Sequence, residues 1–326
     1  MSLELSGFPE AAPKRPSSQL RFADAITATA KEFAGVYRGK QYHPPDFAAT
    51  LDRSLAAGVE KVVLTGMSLA DVETNLNLAK SRPTRTCFVT IGVHPYHADE
   101  IFAEGQQDYL GKLADQVDAA LSHDPCLVVA FGELGLDYDR LNHAGKETQI
   151  AAFQAQLNLF VEKNWQLPLF LHCRAAFDDF FQIIQPYMDK LPRGGLVHSF
   201  VGSKIQMEKL VEMGLEISVN GFSFKDQESL EMVSAIPLSK LQIETDAPWG
   251  EIKATSELAK RYLVNAPPLP ASKKRDKWDI SCMVKERNES CAIDRVAYTV
   301  AGLRGTTVEE VAQAAWINST RMFQLE

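Results

Sequence analysis

Long hydrophobic runs are missing from this chain. No segment approaches the roughly 18–20 consecutive apolar residues that cross a bilayer, so no membrane span is predicted. Paired cysteine motifs are missing too. The five cysteines, Cys87, Cys126, Cys173, Cys282 and Cys291, are odd in number, and no two form a Cys-x-x-Cys pair. That pattern signals neither a zinc knuckle nor a disulfide framework. Reduced thiols and an intracellular setting, cytoplasmic or nuclear, are the expectation. An excess of positive charge is also absent. Thirty-four Lys and Arg stand against 42 Asp and Glu, a formal net charge of −8. A protein that coats nucleic acid non-specifically is disfavoured by that balance, but an enzyme with a local basic groove is not. No Gly-x-Gly-x-x-Gly follows the first predicted strand, which removes the usual mark of a dinucleotide-binding sheet. Residues 1–20 lack the apolar core of a secretory leader, and Glu4 and Glu10 count against a mitochondrial one. Their Pro and Ser content predicts a disordered tail, which leaves residues 21–326 as one domain.

What the chain does have is a regular alternation. Short β-prone runs at Arg21–Thr27, Lys61–Gly66, Cys87–Val93, Leu127–Phe131, Leu167–His172, Gly195–His198, Leu215–Asn220 and Lys240–Asp246 are separated by helical stretches. Those helices are predicted from Asp46 to Ala57 and over Ser68–Lys80, Gly105–Ser122, Lys146–Lys163, Phe177–Lys190, Ser203–Met213 and Lys225–Ala235. Strands alternating with helices of this length make parallel β-α-β units. About eight of them close into a (β/α)8 TIM barrel, a single α/β domain whose active residues lie at the C-terminal strand ends. Glu251–Lys285, with Pro267, Pro268 and Pro270, reads as a long loop near the barrel mouth, and Ala292–Gln324 as C-terminal helices.

Four of the apolar runs end in a residue with metal-ligating chemistry. Gly132 closes the run from Leu127 and Glu133 follows; the others lead into His172, His198 and Asp246. A buried carboxylate is costly unless a partner or a metal compensates it. Each residue alone has an ordinary explanation: a hydrogen-bonded core histidine, a turn-capping aspartate, a glutamate paired with arginine. Together, two imidazoles and two carboxylates suit Zn²⁺, and would also accept Mn²⁺ or Mg²⁺.

The same stretches carry a family resemblance. Gly92–Pro95 (GVHP), Gly132–Arg140 (GELGLDYDR), Pro168–Arg174 (PLFLHCR), Gly194–Phe200 (GGLVHSF), Ile243–Trp249 (IETDAPW), Lys285–Glu289 (KERNE) and Asn318 to Phe323 occur in order. The chain thereby resembles the TatD-type metal-dependent deoxyribonucleases of the amidohydrolase-like superfamily, most closely their eukaryotic branch. The resemblance implies that Glu133, His172, His198 and Asp246 hold a divalent metal (Zn, Mg or Mn). It makes Asp246 the general base toward the attacking water, alongside Glu133, and His94 and Arg174 phosphate contacts. Arg174 could equally pair with a nearby carboxylate. Trp249 and Phe200, beside ligands, are candidates for stacking on bases or for packing under the loops. His97 is expected at the surface.

One departure stands out. Much of the family opens with D-x-H-x-H, whose histidines hold a second metal. Here the run is Asp24-Ala25-Ile26-Thr27-Ala28, so one strong metal site is expected and a second is doubtful. The implied activity is DNA hydrolysis from 3′ ends, on single-stranded DNA or at 3′ termini, with no obligate protein partner. A metal hydrolase of an amide or lactone, or a weakened barrel that only binds, are the rivals. The basic residues Lys273–Lys277, with Lys253, Lys260 and Arg261, read as a solvated face or a phosphate-tracking rim.

Overall fold

The structure is a computed structural model that describes residues 5–103 and 105–326. Eight strands form one sheet in strict chain order: β1 Phe22–Ile26, β2 Val59–Leu64, β3 Cys87–Ile91, β4 Val128–Asp137, β5 Leu169–Arg174, β6 Gly195–His198, β7 Glu216–Val219 and β8 Leu241–Ile243. The pairings from β3 to β7 are parallel. Between and after the strands lie α1 Phe47–Ala56, α2 Leu69–Lys80, α3 Gln106–Leu121, α4 Lys146–Lys163, α5 Phe177–Ile184, α6 Lys204–Glu212, α7 Gln227–Ala235, α8 Glu257–Tyr262, α9 Ile293–Arg304 and α10 Val308–Phe323. This is the topology of a (β/α)8 TIM barrel with C-terminal helices, as expected. Among the described residues no helix is long and apolar enough to cross a membrane.

The chain separates into two compact units. One holds the described residues up to Val62 with Val219–Asn318; the other holds Val63–Ser218 with Ser319–Glu326. The second unit is built on β4, whose ten residues are all buried. Phe131 on that strand packs against Phe160 and Trp165, with ring centroids 5.5 and 5.1 Å away. On α4, Gln149 and Gln156 are buried alongside Phe153 and Phe160. Seven residues apart, they share one helix face. Each spends its amide on backbone rather than on water. Gln156 accepts from the Val93 N–H at 2.8 Å and donates to the Val93 carbonyl at 3.0 Å. Gln149 does the same for Asp137, at 2.8 and 3.0 Å. Two apparently polar residues thus tie down the chain just before His94 and at the end of β4.

In the first unit the KERNE stretch lies at the centre of a buried ion network. Arg287 donates to both Asp46 oxygens at 2.7 and 2.9 Å and to Glu289 at 2.8 Å. Glu289 also receives the Arg53 Nε–H at 2.8 Å. Asp46 does occupy the N-cap position of α1, but its carboxylate makes no capping bond. Arg287 and the Trp278 indole N–H, at 3.0 Å, have taken it instead.

Four expectations change. The strand from Leu127 does not stop at Gly132: β4 runs on to Asp137, because the register shifts around Glu133 and pairing with β5 resumes at Leu134. The eighth strand ends at Ile243, so Asp246 sits in the turn beyond it. Glu251–Lys285 contains α8, and Ser272–Lys273 pairs with Met283–Val284. Residues 5–20 of the expected tail are tied to the α8 region. Arg261 donates to the Leu5 carbonyl at 2.8 Å, Tyr262 to Pro9 at 2.8 Å and Asn265 to Pro13 at 2.9 Å. The first four residues of that tail lie outside the described residues.

Arg287→Met would leave Asp46 and Glu289 buried without the guanidinium they share. Denaturant titration is expected to show unfolding free energy lowered by about 3–5 kcal/mol. A loss below about 1 kcal/mol, the size of a surface pair, would contradict the network's role.

Candidate active site

Glycine creates the site's geometry. Gly132 has φ +147°, and a Cβ there would lie 2.1 Å from the Phe170 carbonyl oxygen. At Gly135 a Cβ would lie 1.9 Å from the His172 carbonyl oxygen. Any side chain at either position would force β4 and β5 apart. With both glycines in place, Gly135 pairs with His172, and His172 in turn pairs with His198 on β6. Glu133, in the shifted register between them, is only 4% exposed.

Three imidazoles meet its carboxylate. Glu133 Oε1 lies 2.7 Å from His172 Nδ1, 2.5 Å from His198 Nε2 and 3.3 Å from His94 Nε2. His172 Nδ1 and His198 Nε2 are 3.4 Å apart. Burial alone would raise the Glu133 carboxyl; the neighbouring His198 and His94 and the hydrogen bonds from His172 and His198 outweigh it and hold it well below its usual range. Burial likewise works against charge on His172, but Asp137 and Glu133 prevail and raise it. His94 has no such support. Burial brings it down to about 4 despite Glu133, so it is neutral near pH 7.

The tautomers follow from the partners. His94 Nδ1 accepts the Tyr96 backbone N–H at 3.0 Å. Its one proton therefore sits on Nε2 and points at Glu133, which makes His94 a donor at this site. His172 differs: its Nε2 faces Asp137 Oδ2 at 3.1 Å. A carboxylate behind a histidine orients the ring and makes the opposite nitrogen a better metal ligand. Ligand atoms of His94, Glu133 and His172 all fall within 4.8 Å of one another. His94 falls within that group by distance, but its Nδ1 is taken by the Tyr96 N–H, and the His198 Nε2 also faces Glu133, at 2.5 Å. A buried carboxylate with two imidazole nitrogens at 2.5 and 2.7 Å is a donor set that fits a divalent cation.

Arg174, at the end of β5, gives its Nε–H to Asp139 at 3.0 Å, so the carboxylate pairing weighed in the sequence is present. Phe200 is 1% exposed and packs in the core, which excludes it from stacking on a ligand. His97 is at the surface as expected, 2.7 Å from Glu100. Asp137 was not foreseen. Its signal was its place four residues after Glu133 on one strand, where period two puts both on the same side.

Asp246 and Trp249 belong to the first unit. Asp246 has φ +54°, a left-handed conformation that aspartate tolerates better than most residues. Its turn is held from several directions. Trp249 N–H donates to the Asp246 carbonyl at 3.0 Å. Asn288 donates to the carbonyls of Thr245 and Trp249 at 3.1 and 2.8 Å. Asp24 accepts the Thr245 N–H and hydroxyl, both at 2.6 Å. Burial raises the Asp24 carboxyl to about 7, against the hydrogen bonds that lower it. Asp24 thus anchors the residue before Asp246, while Ile26, 1% exposed, is part of the core.

This chain matches the family model described as TatD related DNase over residues 36–324. It is 42% identical over 307 residues to Deoxyribonuclease Tat-D of Schizosaccharomyces pombe, covering 93% of this chain and 96% of that one. It is 34% identical over 276 residues to the 3'-5' ssDNA/RNA exonuclease TatD of Erwinia amylovora, covering 84% and 92%. A solved TatD family hydrolase from Entamoeba histolytica superposes with TM-score 0.84 at 30% identity, covering 95% of this chain and 100% of that structure. A buried Glu–His cluster on successive strands of a (β/α)8 barrel and a match over most of its length place this chain in the TatD related DNase family.

Proposed function

We propose that this protein is a divalent-metal deoxyribonuclease that removes nucleotides from the 3′ ends of single-stranded DNA. The observation that carries the proposal is the Glu133 carboxylate, buried and ringed by His172, His198 and His94. Glu133, His172 and His198 hold the ion, and Asp246 is assigned to the same reaction on its place in the I-E-T-D-A-P-W stretch. A bound divalent ion supplies Lewis acidity toward a phosphoryl oxygen and acidifies water. The protein's own groups do the rest. Asp246 takes the proton of the attacking water. The Nε2–H of His94 donates to a phosphate oxygen, where charge grows in the transition state. Arg174, its Nε–H occupied by Asp139, meets phosphate with its terminal nitrogens. Trp249, 39% exposed, meets the nucleotide.

One metal site follows from Ile26 and Ala28, which offer no donor atoms. The choice among Zn²⁺, Mn²⁺ and Mg²⁺ goes to the assay. All five cysteines are unpaired thiols, and we infer action inside the cell, in cytoplasm or nucleus.

Glu133→Ala and Asp246→Ala are each expected to slow digestion of 5′-labelled single-stranded DNA by about 10²-fold or more. Their circular dichroism is expected to match the parent protein. EDTA is expected to stop the parent enzyme, with activity returning on adding one of the three ions. Full activity in either variant, or through chelation, contradicts the assignment.

His94 gives a sharper test. His94→Ala is expected to lower kcat by about 10²–10³-fold while keeping the parent's metal content by elemental analysis. His198→Ala is expected to lose the metal. Metal loss in His94→Ala would make His94 a ligand instead of a donor.

A further inference from the structure

We propose that Phe222 and Trp249 form a stacking platform for the unpaired bases at the end of the substrate strand. This rests on the nuclease reading above and extends it to a residue without chemistry of its own. Among the described residues, three phenylalanine or tryptophan side chains are exposed: Phe102 at 36%, Phe222 at 38% and Trp249 at 39%. Two of those three stand on adjoining turns.

The turns are locked together through backbone. A Cβ on Gly221 would lie 1.9 Å from the Gly250 carbonyl oxygen, so only glycine allows this approach. Gly250 also packs close to the Thr245 carbonyl oxygen, 2.7 Å from where its Cβ would be, and Asn220 Oδ1 lies 3.7 Å from the same point. Fully buried Asn220 accepts the Phe222 N–H at 2.9 Å. Asn288 and Asp246 hold the backbone of Trp249. Phe222 follows Gly221, and Trp249 precedes Gly250. Two rigid backbones therefore present two aromatic rings to solvent beside the turn that carries Asp246.

Two exposed rings on adjoining turns offer apolar surface of the kind that marks a ligand-binding site. The ligand here is set by what Asp246 is proposed to act on. Every base has a flat π-face, so stacking holds a strand without reading its sequence. A base already paired in a duplex has its faces taken by its neighbours. The platform thus favours single strands and frayed 3′ ends.

The test compares two single-stranded oligonucleotides, one ordinary and one whose last two 3′ nucleotides lack bases. The parent enzyme is expected to prefer the ordinary end in kcat/KM. Phe222→Ala is expected to reduce that preference about tenfold, the effect of losing a base–aromatic stack, and Phe222→Trp to keep it. An unchanged preference in Phe222→Ala overturns the platform. If the parent enzyme cleaves neither oligonucleotide, the nuclease reading fails by itself. Binding of the fluorescein-labelled ordinary strand to chelator-treated protein then decides the platform. About tenfold weaker binding in Phe222→Ala supports it, and equal binding overturns it.

Discussion

The site depends on a single electrostatic requirement: an ionised carboxylate at Glu133 must be held inside the protein. Removing such a group from water costs several kcal/mol unless fixed partners or a cation repay it. Three imidazoles stand within 3.3 Å of one Glu133 oxygen, and most of the surrounding structure keeps them there. Gly132 and Gly135 let β4 and β5 close on each other. Gln149 and Gln156 clamp the neighbouring backbone, Asp137 orients His172, and the Tyr96 N–H fixes the proton of His94. Each is a modest interaction. Their joint effect is to gather three imidazole nitrogens around the same oxygen.

The three histidines are not equivalent, and their hydrogen bonds explain the difference. A histidine that accepts at Nδ1 cannot also offer a lone pair at Nε2 while neutral. His94 is therefore a donor by construction. His172, backed by a carboxylate, has its other nitrogen available for a cation. The same principle of holding a functional group by its neighbours recurs around Asp246. There Asp24, Asn288 and the Trp249 N–H grip the turn and leave the aspartate in a left-handed conformation.

Much of this was legible in the sequence. The eight β-prone runs and most helices stand close to where periodicity puts them, and Lys146–Lys163 matches α4 residue for residue. His172 and His198 were readable because they close apolar runs of a parallel strand. Glu133 was readable for a slightly wrong reason: the strand does not end there but shifts register around it, and a shift leaves no mark in hydropathy. What periodicity could not reveal was long-range hydrogen bonding. Gln149 and Gln156 look like solvent-facing residues, and Asp46 looks like a helix cap until Arg287, 241 positions away, claims its carboxylate. The first twenty residues read as a tail because proline and serine bury little. Yet the carbonyls of Leu5, Pro9 and Pro13 accept from Arg261, Tyr262 and Asn265, partners no local pattern announces. Phe222 escaped notice because its importance lies in exposure, a property of the folded chain.

The central claim is that Glu133, His172 and His198 hold a cation. X-ray diffraction from crystals grown with Mn²⁺ or Zn²⁺, collected at that metal's absorption edge, tests it most directly. An anomalous peak bonded to Glu133 Oε1, His172 Nδ1 and His198 Nε2 is expected, with the His94 ring still accepting from Tyr96. Crystals saturated with metal that show no peak at Glu133, or a peak bonded to other residues alone, would contradict it.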